Sequence, residues 1–316
     1  MTSAAVDAHG IAKHYGSLVA LAGLDLRVEA GEVLGVLGPN GAGKTTAIRV
    51  LTTIFEPTHG SFSVAGFPHT RPNEIRKRIG VLPESAGFPG RETGEEYLRY
   101  HARLYGQSRA SARATALKLL EEVRLLERRR SLISTYSRGM RQRLGIARAL
   151  VNDPSVVFLD EPTLGLDPAG QRQVLGNVRS IASDRGAAVL LSTHLLTEVE
   201  EHCSRVIIIH RGRVVAEGTV GEIVRKAAAP RSGRVHVAPE HAERAAALLA
   251  AADGVEEVRA ANGQPGWFSI VFTPGSQNGA TNAALRTLIE SGVALRSFEL
   301  EGARLSDAFL AMTEAN

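Results

Sequence analysis

The stretch Gly38-Pro39-Asn40-Gly41-Ala42-Gly43-Lys44-Thr45 follows the apolar run Val33 to Leu37 and precedes a helical pattern running from Lys44 to Phe55. Strand, glycine-rich turn and helix in that order are the context in which this spacing becomes a phosphate-binding loop. Glycines let the backbone curl so that successive N–H groups face a phosphate, and the helix N-terminus adds a favourable dipole. Lys44 supplies the countercharge, and the Thr45 hydroxyl suits Mg²⁺, which prefers oxygen ligands and keeps several waters.

Working outward, short runs rich in Val, Ile and Leu alternate with longer helical patterns, the rhythm of a mainly parallel α/β sheet. Strands are expected at Val33 to Leu37, Ile79 to Leu82, Val156 to Leu159, Val189 to Ser192 and Val206 to His210. Val6 to Lys13, Leu21 to Val28 and Ser61 to Val64 read as an antiparallel addition. Between Glu95 and Leu126 the pattern is purely helical, with Leu98, Ala102 and Tyr105 on one face and Ala116, Leu119, Leu120 and Val123 on another.

Val156-Val157-Phe158-Leu159-Asp160-Glu161 is an apolar strand that ends in two carboxylates, an expensive placement unless they meet a cation or a substrate. Beside a phosphate loop, Asp160 is expected to hold Mg²⁺. Glu161 is then the general base on an attacking water, because phosphoryl transfer needs a positioned nucleophile and charge stabilisation.

Several further segments together resemble the nucleotide-binding subunit of ABC transporters. Tyr136-Ser137-Arg138-Gly139-Met140-Arg141-Gln142-Arg143 looks like the signature sequence of that family, and Leu164-Gly165-Leu166-Asp167 like its D-loop. Ser192-Thr193-His194 is similar to its switch histidine, and Tyr15 stands where an aromatic stacks on adenine. The match runs over roughly residues 6 to 226. It implies a P-loop NTPase fold with antiparallel and helical subdomains, the helical one at about 92–150.

The implied ATP site comprises Tyr15, Gly38, Pro39, Asn40, Gly41, Ala42, Gly43, Lys44, Thr45, Thr46, Glu84 and Asp160, with Mg²⁺ on Thr45, Glu84 and Asp160. Glu161 and His194 would be catalytic. By the family's logic two domains pair head to tail, so Ser137, Arg138, Gly139 and Met140 of one chain close on the ATP of the other, near the D-loop Asp167. With a single phosphate loop the working unit is a dimer, the leading reading being two copies of this chain. Two positions depart from the pattern. Glu84 stands where the family has Gln, and a carboxylate can keep the metal role. Arg138 replaces a glycine, either bringing charge near the partner's γ-phosphate or facing solvent.

The periodicity breaks at Ala227 to Gly233, where a linker is expected between an ATP-binding domain (1–226) and a C-terminal α+β domain (234–316). The latter reads strand, helix, strand, strand, helix, strand, helix, and its first six elements form a plausible ferredoxin-like unit. Its end, Leu305-Ser306-Asp307-Ala308-Phe309-Leu310-Ala311-Met312-Thr313, resembles that of drug, antibiotic and lipid exporter subunits.

Composition narrows the function classes. Of 316 residues, 44% are hydrophobic and 22% charged, ordinary globular values. The net charge is +4, and residues 227–316, with seven Arg, no Lys and ten acids, contribute −3 of it. No dense basic stripe with interleaved aromatics exists, so nucleic acid is not an expected partner. The single Cys203 fits a reducing compartment. Apolar runs are too short to span a bilayer, and the N-terminus has no secretory pattern. The expected place is the cytoplasm, peripheral on the inner membrane face through a permease on a separate chain. A soluble ABC ATPase, such as one of iron–sulfur assembly, is the alternative, and a module that binds ATP without hydrolysing it is a third.

Overall fold

A computed structural model describes residues 4–226, 232–261, 264–273, 279–301 and 305–314. The chain divides into two units, residues 1–219 and 220–316.

The first unit begins with β1 (Val6–Tyr15), β2 (Leu18–Val28) and β3 (Val33–Leu37), followed by α1 (Lys44–Leu51). Next come β4 (His59–Val64), β5 (Phe67–Pro68), α2 (Pro72–Arg76) and β6 (Ile79–Leu82). The helical region consists of α3 (Gly94–Leu104), α4 (Arg109–Glu122) and α5 (Arg138–Ala149). The unit ends with β7 (Val156–Asp160), α6 (Pro168–Arg185), β8 (Ala188–Thr193), α7 (Leu196–His202), β9 (Arg205–His210) and β10 (Arg213–Gly218).

Its main sheet runs β10-β9-β3-β8-β7-β6, parallel except for the edge strand β10. Every residue of β3, β7 and β8 is buried, as continuous apolar runs demand when helices cover both faces. A second, antiparallel sheet has the order β2-β1-β4-β5. Leu37 pairs with Thr193 and Asp160 with Ser192, so β3, β7 and β8 end level with one another. Ligands of open α/β sheets bind beyond such carboxyl ends.

Local chemistry sets the helix ends. Asp167 caps α6 by accepting from the Gly170 N–H at 3.1 Å, Pro168 opens the first turn, and Gly186 closes the helix at φ +64°. The helix predicted from Lys44 to Phe55 stops at Leu51, because Thr53 turns left-handed at φ +62°. Strand β10 escapes sequence reading because its hairpin turns on Arg211 and Gly212, both at positive φ, in place of the usual Asn-Gly. Within the helical region Tyr97, Leu98 and Ala102 are core, whereas Tyr100 and Tyr105 are exposed. Cys203 lies against Gly35, and burial pushes its thiol up to about 12, so at neutral pH it is a small inert hydrophobe.

The second unit comprises α8 (Val220–Lys226), β11 (Ser232–Val237), α9 (Ala242–Ala250), β12 (Val255–Ala260), β13 (Trp267–Phe272), α10 (Gly279–Glu290), β14 (Leu295–Glu301) and α11 (Leu305–Glu314). Its sheet is antiparallel, in the order β12-β13-β11-β14. Val235, Val237, Phe268, Ile270 and Phe272 build a core with Ala245, Leu249, Ala284 and Leu288 of α9 and α10. Helix α8 packs on α11 and groups with this unit. Of the expected linker, residues 227–231 lie outside the described residues.

Candidate nucleotide site

The loop from Gly38 to Gly43 leaves β3 and enters α1. Gly41 at φ +80° and Gly43 at φ +110° are left-handed, and a Cβ on Gly38 would lie 2.4 Å from the Ile209 carbonyl oxygen. Helix α1 has no side-chain cap, so its first-turn N–H groups remain available to a ligand. Lys44 is buried and folds back over the loop, its Nζ donating to the carbonyls of Gly38 at 2.7 Å and Pro39 at 3.3 Å. The same Nζ is 3.6 Å from Glu161 Oε1.

Beneath the loop, Asp160 Oδ1 accepts from Thr45 Oγ1 at 3.3 Å and from Ser192 Oγ at 2.5 Å. The Glu161 backbone N–H donates to both the carbonyl and the hydroxyl of Ser192, each at 3.1 Å. These bonds hold Glu161 at φ +49° and turn its carboxylate off the strand line. Glu161 Oε2 meets His194 Nδ1 at 2.8 Å, and the other oxygen faces Lys44. A buried carboxylate therefore has an ammonium on one side and a half-exposed imidazole on the other.

Tyr15, Pro39, Asn40, Gly41, Ala42, Gly43, Lys44, Thr45, Thr46, Glu84, Glu161 and His194 all line one cleft of about 590 Å³. Gly38 and Asp160 back it through the bonds just described. Tyr15 is exposed, edge-on to Phe55, with Lys13 Nζ 5.3 Å from its ring centroid. Sequence reading missed the contributions of Leu18, Val19 and Ser192. Leu18 and Val19 form an exposed apolar wall beside Tyr15; their signal was two large hydrophobes directly after the Gly16-Ser17 turn. Ser192, which locks Asp160, gave no signal beyond its place before His194.

None of Ser137, Arg138, Gly139, Met140 and Asp167 lines that cleft. Ser137 caps α5, its Oγ accepting from the Met140 N–H at 3.2 Å. Arg138 is exposed, as one of the two expected courses has it, and its guanidinium lies by Gly165, where a Cβ would come within 2.4 Å of Nη1. Gly139 faces Leu166, so signature and D-loop segments adjoin within the chain.

Residues 21–164 match the family model described as ABC transporter, and residues 131–200 match one described as an AAA domain, putative AbiEii toxin. The daunorubicin/doxorubicin resistance ATP-binding protein DrrA of Streptomyces peucetius is 40% identical over 311 residues, 98% of this chain and 92% of that protein. The chain belongs to the ATP-binding proteins of ABC transporters. This ABC protein is also 40% identical, over 69% of its length and 72% of the relative's, to the Nod factor export ATP-binding protein I of Burkholderia orbicola. A solved ATP binding subunit of an ABC transporter superposes with a TM-score of 0.63 at 34% identity, covering 70% of this chain and 92% of that one. ABC cassettes bind and hydrolyse ATP, and this chain is one of them. Among the described residues no helix is long and apolar enough to cross a membrane.

Proposed function

We propose that this ABC protein powers an exporter: two cassettes close around two ATP, with a second copy of this chain as the pairing partner, and drive a permease carried on a separate chain at the inner face of the cell membrane. The observation that carries the hydrolytic part is the 2.8 Å contact between Glu161 and His194, directly beyond Lys44 and the phosphate loop. Support for export is the near full-length likeness to a drug resistance ATP-binding protein, which extends over the second unit. The relatives named above do not favour the alternative of a soluble ABC ATPase.

In this reading the loop amides, Lys44, Thr45 and Thr46 hold the triphosphate, while Tyr15 with Leu18 and Val19 receives the adenine, stacking contributing about 1 kcal/mol. Glu161 takes a proton from the attacking water, and His194 holds that water and the γ-phosphate in line. Ser137, Arg138, Gly139 and Met140, with Asp167 beside them, face the partner's nucleotide, consistent with their absence from this chain's own cleft.

The donors at the loop fit Mg²⁺: the Thr45 hydroxyl lies against Asp160, both hard oxygens, and Glu84 lines the same cleft. Among the described residues no three His, Cys, Asp or Glu side chains converge on a point, as befits an ion completed by phosphate and water. Bound there, Mg²⁺ supplies charge neutralisation at the β- and γ-phosphate oxygens. We assign Glu84 to this ion. Glu84→Ala is then expected to raise the Mg²⁺ concentration needed for half-maximal hydrolysis, and an unchanged requirement would remove Glu84 from the site.

We read residues 232–301 as a ferredoxin-like unit, supported by the order β-α-β-β-α-β and the sheet order β14-β11-β13-β12. The expected domains 1–226 and 234–316 then divide somewhat earlier, near residue 220, because α8 groups with the second unit and Ser232 and Gly233 of the expected linker lie in β11.

The test uses Glu161→Gln. Turnover is expected to fall by about a hundredfold or more while ATP binding persists. Trapped closed with Mg-ATP in native membranes, the variant should bring down a multi-spanning protein in near-equal amount. Recovery of soluble proteins alone would refute the exporter reading; unchanged turnover would refute the catalytic one.

A further inference from the structure

Glu198, at the start of α7, is a carboxyl the reading above leaves unused, and it is buried to 5% exposure. Its Oε2 accepts from the Thr193 hydroxyl at 2.8 Å, and that hydroxyl oxygen accepts from the Leu195 N–H at 3.1 Å. Thr193 is the residue immediately before His194. The other carboxyl oxygen, Oε1, is buried without a hydrogen-bond partner at full geometry, and so is the hydroxyl of Thr163. These two orphaned oxygens are neighbours, for the Thr163 hydroxyl is among the groups acting on the Glu198 carboxyl. Thr163 follows Glu161 by two residues.

A glutamate three residues into a helix often does no more than reach back to cap it. The chain contains that ordinary case for comparison. Glu96, with Thr93, caps α3 at the surface, and the hydrogen bonds from Thr93 hold its carboxyl below the usual carboxylate value. Glu198 is the reverse: burial pushes its carboxyl up, against the hydrogen bonds from the Thr163 and Thr193 hydroxyls that oppose the rise. A cap would leave Oε1 in water, whereas here it is buried, and the buried Thr163 hydroxyl of another segment acts on the same carboxyl.

We propose that Glu198 is a positioning residue for ATP hydrolysis, bridging Thr193 to Thr163 and so holding the strand end that carries His194 against the segment that carries Glu161. The carboxyl does this by accepting from the Thr193 hydroxyl at Oε2 and from the Thr163 hydroxyl beside it. The bridge fixes the relative placement of the two groups that meet at 2.8 Å, and errors of an ångström in such placement cost rate rather than binding. The proposal rests on the catalytic reading of Glu161 and His194.

Steady-state ATP hydrolysis by the full-length chain tests it, with Glu161→Gln in the same assay. Glu198→Gln, which can accept from Thr193 and donate to Thr163, should keep kcat within about twofold. Glu198→Ala and Thr163→Val should each lower kcat by about tenfold or more with KM for ATP unchanged. Wild-type kcat in Glu198→Ala, or equal damage from Gln and Ala, overturns the bridge. So does a parallel change of kcat and KM, the mark of a merely structural role. If Glu198→Ala does not fold, Thr163→Val decides alone: unchanged kcat there overturns the proposal. Normal turnover by Glu161→Gln would bring down the catalytic reading and the bridge together, whereas an inactive Glu161→Gln beside a fully active Glu198→Ala brings down the bridge only.

Discussion

Glu161 holds a left-handed backbone at φ +49°, a conformation that costs a non-glycine residue on the order of 1–2 kcal/mol. The two bonds from its N–H to Ser192 offset that cost and aim the carboxylate between Lys44 and His194, so the strain sits at the residue proposed as general base. Position 198 carries a cost of another kind, one that depends on pH. Because burial raises the Glu198 carboxyl above its ordinary value of 4.5, the folded chain keeps a proton that the unfolded chain releases. The stabilisation linked to that proton is complete below 4.5 and is lost as pH rises toward the folded value. Glutamine does not titrate. The melting temperature of Glu198→Gln relative to wild type should therefore climb between about pH 4 and about pH 7. A difference that stays flat across this range would mean that folding does not raise the Glu198 carboxyl. Nothing in the sequence singles this residue out: Glu200 and Glu201 on the same short helix are exposed, and only the fold distinguishes the buried one.

At the scale of elements, the strand ends explain how much of the site could be read in advance. Strands β3, β7 and β8 begin as apolar runs, so Gly38, Asp160, Glu161 and His194 announce themselves at or just beyond the places where those runs end. The α2 helix of five residues and the two-residue β5 carry too little period to be seen, and the side-chain bond from Ser192 to Asp160 exists only through the register of β7 with β8. Helix α5 poses a different question, because in the proposed pairing Ser137 would serve two partners. Its oxygen accepts the Met140 N–H, which leaves its O–H proton free to point outward at a phosphate of the pairing cassette. Cap and ligand contact are thus compatible, and substitution can separate them. Ser137→Ala should lose about 1 kcal/mol of stability together with ATP-dependent pairing. Ser137→Asp should restore the cap while setting a negative charge against the phosphate, so that thermal stability returns and pairing does not. Size-exclusion chromatography of each variant on a Glu161→Gln background, with Mg-ATP, reads the outcome. Pairing by Ser137→Asp at wild-type ATP concentration would show that Ser137 does not face the partner's nucleotide.

Over the whole molecule, each unit has a core of its own: one built around the main sheet, the other from Val235, Val237, Phe268, Ile270 and Phe272 with α9 and α10. The second core was legible because its strands alternate in and out against one helical layer, as β11 and β13 do residue by residue. Where it begins was less legible. Ile223 of α8 is fully buried, and α8 packs on α11 near the far end of the chain, a pairing between segments that no local pattern reveals. Separate cores predict separate unfolding. All the residues assigned to ATP lie within residues 1–219, so the ligand can stabilise only the equilibrium in which that unit unfolds. Calorimetry of Glu161→Gln should resolve two transitions, and Mg-ATP at a hundred times its dissociation constant should stabilise one of them by about 2.7 kcal/mol while leaving the other in place. A single transition moving as a whole would mean that the two units unfold as one cooperative body, and that binding at the phosphate loop is felt as far as α11.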